Sequence, residues 1–152
     1  MIILKPKISL LVPFYSTEDK SKLELAIKNL LDYLPNLKQK SIDNIRHLSA
    51  DNIKLESLKH FYMHIRQNEI LDTVRRYANI NAEEGQIVFT IHKQALTVNK
   101  IAVVSEDASS ALGDIKLKIY TKEVEKFLDW FAPETEKGKI IKSGKFKDIF
   151  NF

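Results

Sequence analysis

Apolar residues along this chain alternate in some segments and recur every three or four positions in others, so both strands and helices are expected. Ile8 to Tyr15 is apolar and lies between Pro6 and Ser16-Thr17-Glu18-Asp19, which predicts a largely buried first strand. Pro13 removes one ladder donor and points to an edge or a bulge. Leu23, Ala26, Ile27, Leu30 and Leu31 then follow helical spacing. Thr17 is placed to cap this helix, Glu18 and Asp19 suit the positive end of its dipole, and Pro35 is its stop.

Between Leu37 and Ala50 the apolar positions fit either period, and Asp43-Asn44 as a turn signal favours a short hairpin. Leu55, Leu58, Phe61, Tyr62 and Ile65 make one helical stripe, and Ile70, Leu71, Val74, Tyr77 and Ala78 a second. The two are out of phase by one residue, which predicts two helices meeting at an elbow near Arg66-Gln67-Asn68, with Asn68 capping the second. Gln86 to His92 alternates as a strand, Ile101–Val104 and Ile115–Tyr120 read as two more, and Val124, Phe127, Leu128 and Phe131 form a last helix ended by Pro133.

The expected organisation is one α+β domain over residues 1–136 followed by a basic, phenylalanine-containing tail over 137–152. A chain of 152 residues, 44% hydrophobic and 29% charged, is long enough to bury one core. With no cysteine, disulfides, thiolate metal sites and cysteine nucleophiles are excluded. The absence of a signal-like start and of long apolar runs leads to the expectation of a cytoplasmic protein with no membrane insertion. Charge divides unevenly. Residues 1–136 hold 19 Lys+Arg and 19 Asp+Glu, whereas 137–152 hold five lysines against Asp148, which is the whole of the +4 net charge.

Four segments together resemble an archaeal family of uncharacterised proteins, the family numbered two hundred and one. They are VPFYSTE (Val12–Glu18), RQNEILDTVR (Arg66–Arg75), HKQALTV (His92–Val98) and FLDWFAP (Phe127–Pro133), and the resemblance spans about Lys7 to Thr135. It implies a fold similar to large-subunit ribosomal protein L-five, a mixed β-sheet with helices packed on one face, and an RNA-binding role. Two departures stand out. The hairpin turn near Asn44 lacks the expected glycine, and the tail lies outside the resemblance.

Candidate chemistry is sparse. Glu56, His60 and His64 fall on one line of a helix and could approach a divalent cation, but His-Glu-x-x-His and a fourth ligand are missing, and a solvated helix face explains the spacing. His47 with Ser49 and Asp51, or His92 on its strand, makes no triad. No glycine-rich phosphate loop exists among the four isolated glycines. Neither a cofactor nor a metal is expected, and the chain does not read as an enzyme.

For nucleic-acid contact the candidates are Arg66 and Gln67 at the elbow, Arg75 and Arg76 one helix on, and Lys137, Lys139, Lys142, Lys145 and Lys147 in the tail. Arg66 could instead tether the elbow to a carboxylate or a carbonyl, and Arg75 or Arg76 has the spacing for an ion pair with Asp72. The tail lysines are interleaved with Ile140, Ile141, Phe146, Ile149, Phe150 and Phe152. That mixture suits RNA, docking onto the body or a second subunit, or an anionic membrane surface. The leading expectation is a non-enzymatic RNA-binding domain, and the alternative is a homodimeric interaction module.

Overall fold

The computed structural model describes residues 5–106, 113–136, 139–140 and 145–151. In chain order the elements are β1 (Lys7–Pro13), α1 (Lys20–Leu31), β2 (Lys38–Ile42), β3 (Ile45–Ala50), α2 (Leu58–Gln67) and α3 (Leu71–Tyr77). They continue with β4 (Asn79–Asn81), β5 (Gln86–Ile91), α4 (Lys93–Thr97), β6 (Val103–Val104), β7 (Ile115–Tyr120), α5 (Val124–Phe131), β8 (Thr135–Glu136) and β9 (Lys139–Ile140), and 3-10 turns cover Leu55–Ser57 and Phe146–Asn151.

Among the described residues the main sheet runs β2-β3-β1-β7-β5-β4, with β6 also on β5, and β8 and β9 form a separate ladder. The class is α+β, as expected. Every pairing is antiparallel, where a mixed sheet was expected. β1 lies inside the sheet between β3 and β7, not at an edge. Pro13 is tolerated because it is the last strand residue, two positions beyond Leu11, where the β7 pairing stops.

Alternation decides which face is buried. Ile8, Leu10 and Val12 of β1, Ile115, Leu117 and Ile119 of β7, and Ile87, Phe89 and Ile91 of β5 point to the helices and are all buried. Phe61 of α2 and Phe131 of α5 meet edge to face at 4.9 Å, and both contact Phe89, at 5.7 and 5.4 Å. Burying such a ring stabilises the fold by about 1.5–3 kcal/mol, so this cluster fixes the helical layer on the sheet.

Several local expectations need revision. Asp19, not Thr17, caps α1, accepting from the Ser21 amide at 3.0 Å and the Ser21 hydroxyl at 2.8 Å. Those bonds hold the Asp19 carboxyl below its ordinary range. The helix ends at Leu31 with left-handed Asp32, before Pro35 is reached. The β2–β3 hairpin forms without glycine because Asp43 (φ 51°) and Asn44 (φ 66°) both adopt the left-handed region, as a two-residue primed turn requires. The elbow forms, but Asn68 closes α2, its side chain donating to the His64 carbonyl at 2.9 Å; α3 has no side-chain cap. Ile101–Ala102 is not strand, leaving β6 with two residues. β4, α4 and the β8–β9 ladder had not been expected.

Candidate nucleic-acid interface

At the elbow, the Arg66 guanidinium lies 3.4 Å from the centre of the Tyr62 ring. It donates to the carbonyls of Tyr62 at 3.0 Å, Trp130 at 3.0 Å and Phe131 at 2.9 Å. Arg75 donates to the Ala132 carbonyl at 3.0 Å and to Asp129 at 2.8 Å. Together they cover the carbonyl end of α5, where cations are favoured by the helix dipole. Burial lowers the proton affinity of Arg66, with Tyr62 opposing the effect. Asp72 pairs with neither arginine and accepts instead from the Thr135 hydroxyl at 2.7 Å. Gln67 and Arg76 are exposed.

A second buried cation was not anticipated. Lys93, 2% exposed, donates to Glu18 at 2.9 Å and to the Pro13 carbonyl at 2.8 Å, 5.6 Å from the Tyr15 ring. Burial lowers its pKa, while Glu18 and Asp114 oppose that shift. The segments that carry the family resemblance therefore join in pairs. VPFYSTE meets HKQALTV through Lys93, and RQNEILDTVR meets FLDWFAP through Arg66 and Arg75. These contacts hold the four segments together.

The C-terminal 3-10 turn packs on the same layer. Phe146 contacts the rings of Tyr62 at 5.3 Å and Trp130 at 5.7 Å, Ile149 is fully buried, and the Trp130 indole donates to the Lys145 carbonyl at 2.8 Å. Lys145 and Lys147 are exposed. Lys137, Ile141, Lys142 and Phe152 lie outside the described residues, as do the side chains of Lys139 and Phe150.

His60 and His64 do not face solvent as expected. Both are half-buried, their rings are 6.2 Å apart, and His64 Nε2 accepts from the Ile101 amide at 3.3 Å. Among the described residues no three potential metal ligands come together. His47 Nδ1 lies 2.9 Å from the Ile45 carbonyl, and His92 caps α4 through the Ala95 amide at 3.2 Å.

Among the described residues, the sheet face opposite the helices carries charge of one sign. The strands of the main sheet contain Lys7, Lys38, Lys40, Arg46, Lys116 and Lys118 and not one Asp or Glu. Alternation sends all five lysines to the open face, while Arg46 belongs to the other set and lies over the Phe14 ring at 5.2 Å. In one row Lys38, Ser49, Leu11 and Lys116 are successive cross-strand partners, so the two lysines stand three strand spacings apart, about 14 Å. Lys118 lies about 7 Å further along β7, beside Ser9 and Val88. Lys116 donates to Thr90 at 2.9 Å. The side chains of Lys7, Lys38, Lys40 and Lys118 make no ion pair or hydrogen bond among the described residues. The signal for this face was in the sequence, as lysine at alternate positions of KQK and IKLKIY, but only strand pairing assembles it.

A family model described as RNA binding matches residues 7–121, the span that holds the whole main sheet. The chain is 37% identical over 132 residues to a UPF0201 protein of Sulfurisphaera tokodaii, covering 87% of this chain and 90% of that one. It is 32% identical over 125 residues to a UPF0201 protein of Metallosphaera sedula, covering 82% and 86%. The crystal structure of a UPF0201 protein from Methanococcus jannaschii shares the fold, with a TM-score of 0.70 at 24% identity over 90% of this chain and 99% of that one. By sequence coverage and by fold, the chain belongs to the UPF0201 family.

Proposed function

We propose that this protein is a non-enzymatic RNA-binding domain that docks the phosphate backbone on its open sheet face. The observation that carries this reading is the set of five lysines on one face whose strands hold no carboxylate. Such a face attracts a polyanion even though residues 1–136 sum to zero charge. The description of the matched family as RNA binding favours RNA among polyanions. The central rows hold Ser9, Leu11 and Val88 and no aromatic ring, so the contact is with backbone and shape, not with a run of stacked bases. A symmetric dimer through this face would set lysines against lysines, which disfavours the homodimeric alternative there.

Titrating a fluorescent RNA hairpin at rising salt tests the reading. Wild type is expected to bind with a steep salt dependence, and Lys118→Glu to weaken binding by about tenfold or more. Lys59→Glu, an exposed reversal on α2, serves as control and is expected to change affinity much less. Equal losses in the two variants, or no binding at low salt, contradict the proposal. Truncation after Thr135 is a poor probe of the tail, because it also removes Phe146 and Ile149 from the fold. Lys145→Gln with Lys147→Gln isolates the tail's charge.

A further inference from the structure

One end of the lysine face opens into a groove of about 370 Å³. Its lining combines three lysines, Lys5, Lys7 and Lys122, two glutamates, Glu83 and Glu84, and Tyr120. The groove lies where β1 begins, β7 ends and the β4–β5 turn closes. Hydrogen bonds preform it. The Thr121 amide donates to the Gly85 carbonyl at 2.8 Å, the Gly85 amide to the Ala82 carbonyl at 3.3 Å, and the Glu84 amide to Asn81 Oδ1 at 3.2 Å. Gly85 is required there. Its φ is 65°, and a Cβ would stand 2.6 Å from the Thr121 carbonyl oxygen.

The groove is continuous with the proposed phosphate face, since Lys7 belongs to both and is the cross-strand partner of Tyr120. Its chemistry differs from that face in two ways. It holds carboxylates, which would oppose a bare phosphate, and it holds Tyr120, 41% exposed, the one aromatic residue on the open side of the main-sheet strands. A nucleotide meets all of these groups at once. Its phosphate suits the lysines, the flat face of its base suits a tyrosine ring, and N–H groups on its Watson–Crick edge donate to carboxylates. A volume of this size is within the range of small-molecule sites, about 300–1,000 Å³.

We propose that this groove receives one unpaired nucleotide of an RNA whose backbone lies on the lysine face, so that the protein prefers RNA with a single-stranded nucleotide beside a structured region. This inference rests on the RNA-binding reading and adds to it a requirement on the RNA.

Anisotropy titrations of the whole protein with a short blunt-ended RNA duplex, the same duplex bearing a short single-stranded overhang, and guanosine monophosphate alone test it. The overhang is expected to improve affinity by about tenfold, the scale of one stacked base. Tyr120→Ala is expected to abolish that preference and Tyr120→Phe to retain it. Equal affinity for the two duplexes, each with steep salt dependence, overturns the groove assignment and leaves the phosphate face standing. Tight binding of the mononucleotide without any preference between duplexes also overturns it, making the groove a free-nucleotide site. Absence of salt-dependent binding to either duplex defeats the phosphate face itself, and the groove's role with it.

Discussion

Arg66, Arg75 and Lys93 stand in the helical layer, and each ends on carbonyls or a carboxylate of the fold itself. Lys7, Lys38, Lys40 and Lys118 stand on the opposite face of the sheet and have no such partners among the described residues. Both sets are cations in a body of zero net charge, so composition does not separate them. Surroundings do. A cation enclosed by hydrogen-bond acceptors is part of the scaffold, and removing it leaves buried acceptors unsatisfied. Clustered, unpaired lysines on one face contribute little to folding and remain available to an external anion.

The most severe way to break this comparison is Lys93→Met. It leaves the largely buried Glu18 carboxylate with the Tyr15 amide but without its cation, and is expected to destabilise the fold by about 3–5 kcal/mol, read from denaturant midpoints. Adding Glu18→Gln should recover much of the loss, and a single-variant loss below about 1 kcal/mol would show that Lys93 is not a scaffold cation. Arg66→Leu removes three bonds to carbonyls and the cation over Tyr62, at a cost of about 2–3 kcal/mol. Arg66→Lys should restore only part of it, because an ammonium cannot reproduce the planar fork.

A smaller, pH-dependent effect is expected at His64. Burial, and secondarily the charge of His60, hold its pKa below the ordinary 6.5. As pH falls below that value the unfolded chain takes up a proton that the folded chain still refuses, so stability drops until the depressed folded pKa is passed. Protonation also removes the acceptor that holds the Ile101 amide. Thermal midpoints measured across this range should slope downward toward acid for wild type and be flatter for His64→Gln. The smallest stability change belongs to the sheet face, where Lys118→Gln should alter stability by no more than about 0.5 kcal/mol.

Much of the scaffold was legible because its signals are local. The alternation of Ile87, Phe89 and Ile91, the phase slip near Arg66 and the helical stripe of α5 each sit within a few residues of chain and correspond to observed elements. The β2–β3 turn shows a limit of the glycine signal, since Asp43 and Asn44 meet the same backbone demand. Pro13 shows another, because a proline at the last residue of an interior strand reads like one on an edge. The candidate interface was not legible. Lys38 and Lys116 are far apart in sequence and come into one row only through β3 and β1, and charge summed along the chain cancels them against acids in turns and helices. A carbonyl tether for Arg66 was foreseeable, but which carbonyls it reaches was hidden, because no residue type announces them.

The division of labour between the two layers is tested most directly by replacing Lys7, Lys38, Lys40 and Lys118 together with glutamine and measuring, on that one variant, thermal stability and the salt dependence of hairpin-RNA binding. Stability is expected to stay near wild type, while the slope of log affinity against log salt becomes shallower by about 3, four contacts each contributing about 0.7–0.9. A slope indistinguishable from wild type would place the RNA contact elsewhere on the molecule, and a fold that collapses would show these lysines to be scaffold after all.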